Sequence, residues 1–332
     1  MNRTLFQLAA MLAAAVPLAA QPKFLTGAQI DTRSAAAGLE QQFRPLLAAA
    51  PQPTWIGYSV PSVRTYSLGC EFVSNDGWRG PGVIHLEPPD HVVVMFRVAG
   101  SAVERIRALS PDCEIDADGV PVHWLDDVKP AESVALLTGY IGESTMSHNS
   151  ALGAIAMHAD ASAEAALDRF AAAGQPQSLR LRAISWLGSA RGRHGFEALK
   201  NFLANDSDER VRERAVSALG SNKDPEALEL LMATARSDRN VRLRSAAVGQ
   251  LGHKPAVKVL GTLSQIVAGD PDAQVQRRAV SALRELPDGE GVPALIELVK
   301  SAKTAELKKQ AMSALEQTRD PRALAFFEQV LR

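Results

Sequence analysis

His85, Glu87, Asp90 and His91 crowd one short stretch of the chain. Imidazole and carboxylate are common ligands of transition metals, and strand alternation would turn His85 and Glu87 to one face. His91 would arrive across the turn Pro88-Pro89-Asp90, and His123 would join from a later hairpin. The spacing matches no zinc signature, so ordinary strand histidines beside a solvated turn are expected. His85, Glu87 and His91 are kept as weak candidate ligands. No residue is assigned to catalysis and no cofactor is expected. The chain lacks Gly-x-Ser-x-Gly, a phosphate-cradling glycine loop and His-Glu-x-x-His.

Cys70 and Cys113 are the only two cysteines. In an oxidising compartment such a pair is expected to form a disulfide. Closing that loop would contribute about 3–4 kcal/mol in the chain-entropy model. Trp55, Tyr58, Trp78 and Trp124 can line a ligand groove or fill a small core, and core filling is the expectation.

The cationic residues are ordered by a repeat. The decapeptide Val211-Arg212-Glu213-Arg214-Ala215-Val216-Ser217-Ala218-Leu219-Gly220 recurs from Leu179, Leu243, Val275 and Leu307, a period of about 32 residues. Its fifth residue is always alanine and its ninth always leucine. Arg180, Arg212, Arg244 and Lys308 form a column at the second place, interrupted by Gln276. Asp206, Asp208, Asp238, Asp270 and Asp272 lie in the preceding turns. The matched signs predict an Arg–Asp ladder joining repeats. Arg182, Arg214 and Arg278 form another column at the fourth place, expected to face solvent and to meet a partner.

These residues need elements to hold them. Residues 1–20 carry Arg3, an apolar run from Leu5 to Leu18 and small residues Ala19 and Ala20, the pattern of a cleaved secretory signal peptide. Residues 21–53 read as a flexible start, then a helix capped by Asp31 or Thr32 and perturbed by Pro45. Residues 54–140 read as a small disulfide-tied β-rich unit, antiparallel, with strands from Trp55, Val83, His91 and Val103 and a hairpin over Cys113–Leu125. A helix then starts at Pro130. Residues 141–332 read as a solenoid of about five to six two-helix repeats, the first a weaker capping repeat built on Ala151, Ile155, Leu167 and Phe170. Gly188, Gly220 and Gly252 are expected to end helices in the left-handed conformation. Second helices start at Asp224-Pro225 and Asp320-Pro321, with apolar registers such as Leu324, Phe327 and Val330.

The pattern Asp208…Val211-Arg212…Ala215…Ala218-Leu219-Gly220 resembles HEAT repeats, most closely the short bacterial variety also found in phycobilisome-lyase-like proteins. The resemblance implies a mainly α, right-handed HEAT-type solenoid after the α+β unit. HEAT-repeat di-iron hydroxylases resembling deoxyhypusine hydroxylase use His-Glu pairs as ligands. No such dipeptide occurs: His148, His158, His194 and His253 precede Asn149, Ala159, Gly195 and Lys254. Bilin lyases share only the repeat.

Formal net charge is −1, from 36 basic and 37 acidic residues, which gives no bulk attraction to nucleic acid or anionic membrane. No second long apolar run follows residue 20. The expectation is an exported, periplasmic or secreted, non-enzymatic scaffold that binds a protein partner through its repeats. A receptor or enzyme centred on the β unit and a structural envelope component are the alternatives.

Overall fold

The structure, a computed structural model, describes residues 22–63, 90–142 and 145–330. The expected signal peptide, the strand from Val83, Cys70, Trp78, His85 and Glu87 lie outside the described residues.

Residues expected to be a flexible start and a helix cap are strands instead: β1, Leu25–Thr26, and β2, Ile30–Ser34. Helix α1, Leu39–Ala48, therefore begins later, and Asp31 and Thr32 do not cap it. Its first amide, Leu39 N–H, donates to Glu132 Oε2 at 2.8 Å from a later helix. Leu39, Phe43 and Leu46 are buried, and Pro45 sits within the helix without ending it.

The main sheet runs β2-β7-β3-β4-β5. Strands β3, Thr54–Pro61, β4, His91–Ala99, and β5, Ala102–Leu109, are antiparallel as expected. The expected hairpin over Cys113–Leu125 does not form, so the sheet is mixed rather than antiparallel throughout. Strand β6, Ile115–Asp116, pairs in parallel with β1, and β7, Val122–Asp126, lies parallel to both β2 and β3. Burial explains the difference. Val122 and Trp124 fill one face and Leu125 the other. A strand buried on both faces fits inside a sheet, not on its edge. Asp118 and Gly119, both at positive φ, turn the chain into that slot.

One sheet face carries Ile56, Tyr58, Val60, Val94 and Phe96 into the helical core. The other carries Val93, Met95, Val122 and Trp124 under Leu25, Leu109 and Ala117. Tyr58 and Trp124 are buried on opposite faces, so they fill two cores rather than line one groove.

Helices α2, Pro130–Gly139, α3, Thr145–Met157, and α4, Ala161–Ala171, follow. Repeats continue as α5, Gln177–Ala190; α6, Gly192–Asn205; α7, Glu209–Leu219; α8, Pro225–Ser237; α9, Val241–Leu251; and α10, Ala256–Gly269. They end with α11, Ala273–Glu285; α12, Val292–Ser301; α13, Ala305–Glu316; and α14, Pro321–Val330. The capping-repeat residues Ala151, Ile155, Leu167 and Phe170 are buried as expected. Because α3 packs on β4 and β5, a single core runs from Ala35 in the β unit to Phe326 in the last helix.

Every fifth-place alanine of the decapeptide is fully buried, and the ninth-place leucines lie beneath it in the core. The decapeptide helices α5, α7, α9, α11 and α13 pack directly on one another, more extensively than the second helices do. The stack therefore curves with the decapeptide layer on its inside. Close approach also explains the glycines at the tenth place. Gly220 and Gly252 are right-handed, not left-handed as expected. A Cβ on Gly188 would stand 2.6 Å from the Ala218 carbonyl oxygen, and one on Gly252 3.0 Å from Ala282 Cα. The glycines admit the next helix rather than reverse the chain.

The register of the last second helix also differs from expectation. Ala323 and Phe326 are buried, whereas Leu324 and Val330 are exposed. In earlier repeats the matching Leu228 and Leu260 are partly buried, and α10 follows to pack on α8. No described helix follows α14 to do so.

Candidate interaction surface

The first arginine column and the turn aspartates form the expected ladder in part: among the described residues Arg180 and Arg244 reach an aspartate of the next repeat, and Arg212 and Lys308 do not. Asp206, Asp238 and Asp270 each accept the amide N–H two residues on, at 2.8–2.9 Å, which shapes the turn. The residue so positioned, Asp208, Asn240 or Asp272, then caps its helix by accepting from the amide two residues further. Carbonyls of the same three aspartates accept from Arg212, Arg244 and Gln276. Gln276 thus keeps the local contact without the charge, and among the described residues it makes no rung to the next repeat. Rungs between repeats come from Arg180 to Asp206 at 2.5 Å and from Arg244 to Asp270 at 3.0 and 3.1 Å. Both pairs are buried or nearly so. These cations are committed to holding repeats in register.

A second, unforeseen ladder lies at the other end of the decapeptide helices. Asn222 Nδ2 donates to the Gly188 carbonyl at 3.0 Å, and Lys254 Nζ donates to the Gly220 carbonyl. Each donor satisfies a carbonyl of the preceding repeat that its own helix leaves open. Burial lowers the pKa of Lys254.

The fourth-place column is not uniformly solvent-facing. Arg214 is exposed, with one long contact of 3.5 Å to Ser185 Oγ. Arg182 is half-buried, and its Nε lies buried without a hydrogen-bond partner among the described residues. Arg278 is half-buried, lies against Gly249 and pairs with Glu285 at 3.0 Å. Helices this closely spaced cover one flank of the fourth place with the neighbouring seventh place, where Ser185 and Gly249 stand.

The metal candidates do not assemble among the described residues, where no group of three or more His, Cys, Asp or Glu side chains is suited to hold a metal ion. His91 bonds its neighbour Asp90 at 2.7 Å, and His123 bonds Asp31 at 3.1 Å. His91 lies opposite Pro61 and His123 opposite Ile56 on the intervening strand β3. That offset of five residues separates them by about 16 Å along the sheet. Cys113 is buried, and its expected partner Cys70 lies outside the described residues.

Sequence reasoning missed a clasp of buried polar groups between sheet and solenoid. Tyr58 on β3, Ser133 on α2 and His158 after α3 are all fully buried. His158 Nδ1 lies 2.6 Å from the Ala154 carbonyl oxygen, which only accepts, so Nδ1 carries the proton. The neutral ring then accepts at Nε2 from Ser133 Oγ–H at 2.8 Å. Ser133 Oγ in turn accepts from the Tyr58 hydroxyl at 2.7 Å. Beyond it, buried Arg191 donates from Nη1 to the His158 carbonyl at 2.8 Å and from Nη2 to Glu164 Oε1 at 3.0 Å. The Ser–His contact has the geometry of a nucleophile and base, yet both groups are sealed from solvent and the imidazole faces a carbonyl rather than a carboxylate. Its evident work is to join strand β3 to the first two repeats. A histidine closing the apolar run Ala151–Met157 was the available signal.

Burial holds the His158 imidazole at about 4, below its ordinary 6.5, against the opposing pull of its bond to Ala154. A depressed histidine stays neutral in the fold while the unfolded chain takes up a proton. Its stabilising effect is therefore full above pH 6.5 and lost as pH falls toward 4. The loss amounts to about 3 kcal/mol. Urea titrations should show that the wild-type stability drop between those pH values exceeds that of His158→Gln by about this amount. Equal drops would remove His158 as the cause.

The fold and its ladder define an α-solenoid of stacked helix pairs led by a mixed sheet. A family model described as HEAT repeats matches residues 163–252 and 260–332, so the solenoid is built of HEAT repeats. No curated protein matches the chain. Among solved structures, human deoxyhypusine hydroxylase in complex with glycerol is similar at 18% identity and a TM-score of 0.34, over 59% of this chain and 77% of that one. The CpcE–CpcF complex of phycocyanin lyase from Nostoc sp. PCC7120 is similar at 21% identity and a TM-score of 0.35, over 47% of this chain and 99% of that one.

Proposed function

We propose that this protein is an exported, non-enzymatic scaffold that binds a protein partner through the inner face of its HEAT repeats. Recognition is by shape and charge over several repeats, with no chemical step. The observation that carries this reading is the division of labour among the cations. Arg180, Arg191 and Arg244 are buried and paired inside the stack, while Arg214 projects from the inner layer with one long contact. Export rests on the sequence of residues 1–20, and with it the disulfide between Cys70 and buried Cys113. No described helix is long and apolar enough to cross a membrane.

A cavity of about 650 Å3 between α1 and α2, floored by Phe43, Leu47, Leu136 and Tyr140, favours a second reading. In it the β unit is a small-molecule receptor, with the repeats as support. His91 does not line that cavity.

The test immobilises residues 21–332, because the sheet and α3 share one core and a solenoid-only bait would open it. Arg214→Glu should change stability by no more than about 0.5 kcal/mol, as an exposed substitution. It should also release a stoichiometric protein partner held by the wild type. Equal retention of that partner by the variant would remove the exposed arginine as a contact. A small molecule retained in place of any protein would favour the receptor.

A further inference from the structure

The tenth place of the decapeptide changes character along the stack. It is glycine in three successive helices, Gly188, Gly220 and Gly252, and each admits the neighbouring helix closely. In α11 it is Arg284. Where a glycine would let α13 close on α11, the structure has a groove of about 220 Å3. Arg277 and Arg284 stand on its α11 wall and Gln310 and Gln317 on its α13 wall, over Ser281 and Ser313. Arg284 donates to the Gln317 side-chain carbonyl and lies 3.8 Å from Glu285, which also pairs with Arg278. Arg277 is exposed, and its guanidinium has no hydrogen bond or ion pair among the described residues.

We propose that this groove binds an acidic peptide segment of the partner, with two carboxylates set about 10 Å apart. The inference rests on the scaffold reading and gives the partner a chemistry. Arg277 and Arg284 are two helical turns apart, about 10.5 Å along α11. Three residues of peptide in the polyproline II conformation span about 9 Å and bring side chains at i and i+3 to the same face. Each guanidinium meets one carboxylate, and the amides and hydroxyls between them serve the peptide backbone. A protein ligand fits better than nucleic acid. The cations are two and local, the chain carries a net charge of −1, and the rest of the lining is neutral or apolar.

The test is fluorescence anisotropy on residues 21–332. Its probe is a labelled Gly-Ser peptide carrying two glutamates three residues apart, with a glutamine version and a thymidine oligonucleotide as comparisons. The glutamate peptide should bind, weaken with salt and lose at least about tenfold in affinity in the Arg277→Glu, Arg284→Glu protein, provided circular dichroism shows it folded. Arg284→Gly restores the residue of the earlier repeats. It should keep the fold and lose the peptide, because α13 can then close. Undiminished binding in either variant would overturn the groove, as would equal binding of the glutamine peptide. Tighter binding of the oligonucleotide, lost in the same variants, would overturn the ligand class. If the groove fails while Arg214→Glu still releases a cellular partner, the scaffold reading stands without it.

Discussion

Asp270→Ala should destabilise the protein by about 3–5 kcal/mol, the largest single loss we expect. Asp270 receives two bonds from Arg244 and holds the amide of Asp272, which caps α11. The side chains of the pair are 2% and 8% exposed. Removing the carboxylate leaves the Arg244 guanidinium buried with only the Asp238 carbonyl to accept from it. That uncompensated charge, rather than the intrinsic worth of the pair, sets the size of the effect. The same substitution in an Arg244→Met background should therefore cost much less, since no stranded cation remains. Urea unfolding of the two singles and the double closes the cycle. An equal cost for Asp270→Ala in both backgrounds would show that its turn bond dominates, and that the ladder adds little between repeats.

Leu219→Ala should cost about 2–5 kcal/mol. Leu219 is 1% exposed at the ninth place of the second decapeptide, and truncation leaves a cavity where α7 meets its neighbours on both sides. Stability in a repeat stack is close to a sum of local terms, so damage at an internal repeat also weakens coupling between the parts on either side of it. The unfolding transition followed by circular dichroism should move to lower urea and broaden as the two parts separate. An unchanged midpoint would contradict the packing register.

The repeat itself was open to reading, because each unit meets nearly the same surroundings as the one before. Alanine at the fifth place and leucine at the ninth recur since the same close contact recurs. The Arg–Asp ladder was legible for the same reason: both charges return with the period, as Arg180 and Arg244 and as Asp206 and Asp270. The fourth-place arginines look alike in the sequence, yet Arg214 is exposed while Arg278 is tucked beside Gly249. Their exposure depends on the side chain across the next helix, which no single repeat contains. The tenth-place glycines stand out in the sequence, but their cause is a contact from another helix, which a short-range capping rule does not contain.

By itself, then, the sequence determined the α-solenoid of HEAT repeats, its phase, its aspartate caps and the ionic ladder along it. All of these are local or repeat every turn of the stack. Only the tertiary structure decided where β7 inserts, which draws Ile30–Ser34 into the sheet beside it. It also brought Tyr58, Ser133 and His158 into one buried chain across 100 residues. Such contacts are neither periodic nor adjacent. They follow from burying strands on both faces while satisfying every polar group enclosed with them, a condition that exists only once the chain has closed on itself.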